Sequence, residues 1–105
     1  MKDLYSIGEV AKIMGVSIQT LRYYSSIDLL QPKYTNPATG YRYYSVNQLH
    51  FIDRIKYLQK LGLSLEEIKS VILNNDIKEL VSLLDTHKQR CLDEISRLQD
   101  VIDSI

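Results

Sequence analysis

Apolar residues recur at helical spacing from the first turns of the chain. Ile7, Val10, Ala11 and Met14 fall on one face of a short helix. Ser6-Ile7-Gly8-Glu9 ahead of them is a capping box, in which a serine oxygen and a later carboxylate satisfy orphan amides at a helix start. Gly15, free to adopt a left-handed conformation, marks the stop. Val16-Ser17 opens a second helix that runs to about Ile27, with Leu21, Tyr24 and Ile27 inward. Ala11, Gly15 and Leu21 supply the small, turn and core residues of a helix-turn-helix, a spacing that many αα-hairpins share.

From Gln31 to Tyr44 the helical period vanishes. Pro32 and Asn36-Pro37 oppose helix, Thr39-Gly40 is a turn signal, and Tyr41, Tyr43 and Tyr44 favour strand. The stretch reads as a small β-hairpin, a wing. The period then returns. A third helix from about Ser45 to Leu61, opened by Ser45-Val46-Asn47-Gln48, buries Leu49, Ile52, Ile55 and Leu58 and ends at Gly62. A fourth, opened by Ser64-Leu65-Glu66-Glu67, buries Leu65, Ile68 and Ile72 before Asn74-Asn75 breaks it.

The last segment, 76–105, keeps a seven-residue repeat. Ile77, Leu84, Cys91, Leu98 and Ile105 form one series, and Val81, Lys88, Ile95 and Ile102 the other. Such a helix would reach ~45 Å, too far for one small domain to cover its stripe. The predicted architecture is therefore mainly α: a winged helix-turn-helix domain over 1–75, then a long coiled-coil dimerisation helix over 76–105.

Charge sharpens this picture. The chain of 105 residues is formally neutral, yet residues 1–60 carry eight Lys/Arg against four Asp/Glu and residues 61–105 five against nine. The first half is suited to an anionic partner, the second to water or protein. Neither a signal peptide nor a membrane span is indicated, so a cytoplasmic location is expected. One cysteine and two histidines offer no cluster at metal-site spacing, so no metal or cofactor is expected. No nucleophile–base–acid set, phosphate-cradling loop or paired-carboxylate cleft can be assembled, which leaves an enzyme the weakest reading. Glu66-Glu67 begins a helix, where negative charge is favourable for structural reasons.

Six of the eight tyrosines fall between residues 20 and 44, and Arg-Tyr-Tyr occurs there twice, at 22–24 and 42–44. On the second helix, Gln19, Thr20, Arg22 and Tyr23 are suited to groove edges and phosphates: Gln pairs with adenine, Arg with guanine, and the tyrosine hydroxyl with a phosphate oxygen. Ser17, at the start of that helix, joins the candidate DNA-contacting set. Tyr41 and Arg42 are expected to project from the wing, with Lys33 nearby, while Tyr24, Tyr43 and Tyr44 pack wing against helices.

In YSIGEVAKIMGVSIQTLRYYSSIDLLQP, NPATGYRYYS and LQKLGLSLEEIK, residues 4–73 resemble the DNA-binding domain of the MerR family of bacterial transcription regulators. The terminal heptad helix matches that family's dimerisation helix. The resemblance implies a homodimer whose long helices pack antiparallel and set two winged domains on a palindromic promoter of double-stranded DNA. It further implies bending and untwisting of an overlong spacer in response to a small-molecule effector, with RNA polymerase engaged at the promoter. Carried over, Gln19, Arg22 and Tyr23 become recognition-helix contacts and Tyr41 and Arg42 wing contacts. Lys56 matches a further phosphate-contact position. Where the family commonly has a basic residue on the third helix this chain has Gln59, flanked by Lys60.

Metal- and redox-responsive members use cysteines near the dimerisation helix. Cys91 stands alone in the seam and reads as a small buried hydrophobe. Lys88, the polar seam residue, is suited to setting register or orientation, or to snorkelling to water. His50 and His87 read as surface or boundary residues. The Arg-Tyr-Tyr and Gly-Tyr-Arg-Tyr-Tyr forms look more like the multidrug-responsive branch. The chain is expected either to stop inside its coiled coil or to be a minimal regulator with its ligand site against the long helices. A DNA-bending accessory protein of the excisionase kind, and a coiled-coil module whose winged domain binds protein, stay open as alternatives.

Overall fold

The computed structural model describes residues 3–105. In chain order it contains β1 (Tyr5–Ser6), α1 (Ile7–Met14), α2 (Ile18–Ser26), β2 (Tyr34–Thr35), β3 (Arg42–Tyr44), α3 (Val46–Lys60), α4 (Leu65–Asn74) and α5 (Ile77–Ser104). The mainly helical, winged architecture is the one expected. By compactness the chain divides into Met1–Lys56 and Tyr57–Ile105, a division that falls inside α3.

In the first unit the local signals act as read. Ser6 caps α1 in a full capping box with Glu9, and Gly15 closes it at φ 67° with its N–H on the Ala11 carbonyl. Ser17 caps α2 through the Thr20 amide. The Ser45/Gln48 box opens α3, and Gln48 does more than the box requires. Its Oε1 also accepts from the Lys33 amide at 3.2 Å, and its Nε2 donates to the Gln31 carbonyl. One side chain thus ties the segment entering the wing to the helix leaving it.

The wing is larger than a hairpin. β3 pairs antiparallel with β2 (Tyr34↔Tyr43, Thr35↔Arg42) and, on its other edge, with β1 (Tyr5↔Tyr44, Ser6↔Tyr43), giving the order β1-β3-β2. Strand β1 was not anticipated, because two residues carry no period and Ser6 already reads as a helix cap. Only a partner distant in sequence makes it a strand. Val10, Met14, Leu21, Tyr24, Leu29, Leu30, Tyr44, Ile52 and Ile55 are the buried apolar residues of this unit. Leu49, expected inside, is half-buried.

In the second unit Ser64 and Glu67 form the third capping box, and α4 ends on Asn75 at φ 47°. Leu63, Ile68 and Val71 are buried there, whereas Leu58, Leu65 and Ile72, expected inside, are half-buried. The buried face of α4 is centred on Ile68 and Val71, one residue off the face read from periodicity, since its neighbours and not its period decide which apolar side is covered. Asp76 caps α5 through the Glu79 amide.

Helix α5 has 28 residues, about 42 Å at the helical rise, and buries none of them. Leu80, Leu83, Leu84 and His87 are half-covered, and every residue from Lys88 onward is exposed. The heptad stripe therefore stands uncovered along most of its length. No helix among the described residues is long and apolar enough to cross a membrane.

Candidate nucleic-acid interface

The exposed face of α2 is set by what its opposite face buries. Leu21 and Tyr24 are 1% and 2% exposed. Gln19, Arg22 and Tyr23, at i, i+3 and i+4, consequently share one outward face. At the helix start the Ser17 Oγ accepts the Thr20 amide at 3.0 Å and lies 2.8 Å from the Thr20 hydroxyl. Both hydroxyls keep bonding capacity for a phosphate, at the end of α2 where the helix dipole favours anions.

Asn36 builds the tip of the wing. Its Oδ1 accepts the Ala38 and Thr39 amides, its own N–H meets the Tyr41 carbonyl at 2.8 Å, and Gly40 takes φ 75° to close the turn. Tyr41 is left projecting, two-thirds exposed. Arg42 is placed differently from the expectation that it projects beside Tyr41. Alternation along β3 puts it on the face of Tyr44, which is fully buried, so Arg42 is half-buried with its Nη1 enclosed and unpaired. The Tyr44 hydroxyl is likewise enclosed and unpaired. Burial raises the pKa of both Tyr24 and Tyr44, against a smaller opposing pull from Arg42 at Tyr44, so both stay neutral at physiological pH. On the outer face Tyr43 meets Tyr34 with ring centroids 6.0 Å apart.

Lys33 is exposed, its backbone held by Gln48. Lys56 has a partner that no sequence pattern announces: its ammonium donates to the Met14 carbonyl at the end of α1, across 42 residues of chain. That places a cation beside Gly15, in the turn between α1 and α2. Ser17, Gln19, Thr20, Arg22, Tyr23, Lys33, Tyr41, Arg42 and Lys56 all belong to the first unit, whereas Lys60 ends α3 in the second. His87, read as a surface or boundary residue, is half-buried: its Nε2 lies 3.6 Å from Glu67 and its ring covers Gly62. Among the described residues no group of three or more His, Cys, Asp or Glu could hold a metal.

A helix-turn-helix with an exposed Gln/Arg/Tyr face and a tyrosine-tipped wing defines the winged helix-turn-helix class of transcription regulators. Residues 5–74 match the family described as MerR HTH family regulatory protein, and the chain belongs to that family, whose members are DNA-binding transcription regulators and not enzymes. It is 41% identical to the multidrug-efflux transporter 1 regulator of Bacillus subtilis, over 99% of this chain and 38% of that protein. An uncharacterized HTH-type transcriptional regulator of Pseudomonas aeruginosa is 33% identical, over 95% of this chain and 81% of its own length. The N-terminal part of the Bacillus subtilis multidrug transporter activator superposes with a TM-score of 0.77 at 34% identity, covering 95% of this chain and 92% of that one. EcmrR in its DNA complex superposes at 0.82 and 31% identity, covering 95% and 37%. The chain thus spans about two-fifths of the Bacillus efflux-transporter regulator it matches.

Proposed function

We propose that this chain is the DNA-binding and dimerising portion of a cytoplasmic, promoter-binding transcription regulator. In this reading residues 1–75 form the DNA-binding domain and 76–105 the dimerisation helix. The observation that carries it is one chain holding both an outward Gln19/Arg22/Tyr23 face and a 28-residue helix whose apolar seam stands exposed from Lys88 onward. Two copies joined along α5 present two such faces to a palindromic site.

Gln19 and Arg22 read base edges in the major groove, and Ser17, Thr20 and Tyr23 hold phosphates beside it. Tyr41, Arg42 and Lys33 of the wing grip the adjacent backbone, with Lys56 at the α1–α2 turn and Lys60 at the end of α3. The seam is Ile77, Val81, Leu84, Lys88, Cys91, Ile95, Leu98, Ile102 and Ile105. Bending and untwisting a promoter spacer costs on the order of 1–6 kcal/mol, which doubled phosphate contacts offset. A small-molecule effector shifts the balance between straight and distorted DNA, and RNA polymerase reads the result. Similarity to multidrug-efflux regulators supports a small organic effector for the whole protein.

The test is footprinting on the DNA upstream of its own gene at graded salt, together with sedimentation. A palindromic footprint with a steep salt slope is expected. Binding indifferent to salt, or protection lacking two-fold symmetry, would overturn the reading.

A further inference from the structure

Of the three Ser-x-x-Glu/Gln boxes that open helices in this chain, two close with a carboxylate, Glu9 and Glu67. The third, ahead of α3, closes with an amide, Gln48. The box itself needs only an acceptor for the Ser45 amide, which a carboxylate supplies as well or better at the positive end of a helix. What the amide adds is an N–H donor. Nε2 donates to the Gln31 carbonyl, while Oε1 accepts the Lys33 amide beside that of Ser45. Among the described residues, the backbone of 31–33 makes its hydrogen bonds to Gln48 alone. The segment entering the wing and the residue leaving it are thus held by one side chain, and the choice of Gln over Glu is explained by the wing and not by the cap.

Gln31 carries the tie on to α2. Its Oε1 accepts the Ser25 hydroxyl at 2.6 Å, and its Nε2 donates to the Ser25 carbonyl at 2.7 Å and to Asp28 Oδ1 at 2.9 Å. Ser25 stands in the last turn of α2, three residues beyond Arg22. Two side-chain amides therefore make a continuous strap from the end of α2, through Gln31 and Gln48, to the first turn of α3. Resting on the DNA-binding reading above, we propose that Gln31 and Gln48 are positioning residues that fix the wing relative to α2, so that Lys33 and Tyr41 meet the DNA backbone while Gln19, Arg22 and Tyr23 sit in the groove. At its β2 edge the wing has little else to hold that angle, since β2 is two residues long and pairs only with β3. A strap in place beforehand spares the cost of ordering the wing on binding.

Gln48→Glu separates the strap from the cap. A carboxylate keeps the acceptors for Ser45 and Lys33 but has no donor for the Gln31 carbonyl, which it repels. Thermal unfolding should change little, while the wing loosens from α2. The readout is a double-mutant cycle with Tyr41→Ala, titrated by mobility shift on the DNA fragment upstream of the protein's own gene. In the otherwise unaltered chain Tyr41→Ala costs the full wing contact. In the Gln48→Glu background its cost in affinity should be smaller by a factor of about three or more, because the contact is already misplaced. Arg22→Ala, on the helix and not the wing, should cost the same in both backgrounds.

Two further variants guard the result. Asn47→Asp places the same added charge on the exposed neighbour of Gln48, outside the strap, and should leave the cost of Tyr41→Ala unchanged. Gln31→Met cuts the α2 half of the strap with no change of charge and should repeat the Gln48→Glu pattern. A role in folding alone would lower binding by a common factor and leave the cost of Tyr41→Ala as it was. Equal Tyr41→Ala costs with and without the strap would therefore overturn the positioning role and leave DNA binding standing. No shift of that fragment by the unaltered chain, at low salt as well as high, would remove the DNA-binding reading and this inference with it.

Discussion

Lys56 is the position where a structural bond and a proposed DNA contact can be separated by one substitution. Its ammonium meets the Met14 carbonyl, one of the orphan acceptors at the end of α1, where a cation is also favoured by the helix dipole. Lys56→Met keeps the aliphatic stem and removes the charge. A hydrogen bond from a charged donor is worth about 1.5–3 kcal/mol when buried. Here the lysine is largely exposed, so the loss should be about 1 kcal/mol, a little more at low salt where the dipole term is unscreened. In a domain of this size that lowers Tm by about 4–8 °C. Urea denaturation at fixed protein concentration measures it, with Arg54→Met, an exposed cation on the same helix, as control. Only one of three N–H donors is spent on Met14, so the same ammonium remains available to a phosphate. Each lost phosphate contact reduces the salt slope by about 0.9, or about 1.8 for two subunits. Equal stability of Lys56→Met and Arg54→Met at low salt would refute the structural role. An unchanged salt slope would refute the phosphate contact alone.

Tyr44→Phe removes an enclosed hydroxyl that has no partner, so stability should hold or rise by up to about 1 kcal/mol; a loss of that size in thermal unfolding would mean the hydroxyl is bonded. Asn75→Gly relieves a left-handed residue at the end of α4 and should stabilise by roughly 0.5 kcal/mol, with destabilisation in the same assay counting against the cap assignment. The Glu67 carboxyl is held below its ordinary value of 4.5, first by the Ser64 amide, then by the Ser64 hydroxyl and His87. Its contribution to the start of α4 is therefore complete above 4.5 and lost as pH falls through the depressed value. An NMR midpoint for Glu67 at or above that of the same residue in a short unfolded peptide would contradict this. Tyr41→Ala, at the exposed tip of the wing, should weaken binding to cognate and unrelated DNA by similar factors in mobility-shift titrations, and a selective loss on the cognate site would make it a base reader.

What could be read directly from the chain was everything decided within a few residues. Three Ser-x-x-Glu/Gln boxes, the left-handed Gly15 and the Pro/Gly punctuation around the wing are short-range chemistry, and each falls where its pattern predicts. The seven-residue repeat likewise announced a helix in need of a partner, because a stripe that long has no cover of its own. Tertiary structure alone decided the pairing of β1 with β3, the half-burial of Arg42 on the Tyr44 face, the reach of Lys56 to Met14 and the placing of the His87 ring over Gly62. Each joins residues far apart in the chain or depends on which face of a short element meets a neighbour. No local period or propensity encodes that choice, since a side chain's partner there is set by how the pieces pack and not by what stands next to it in sequence.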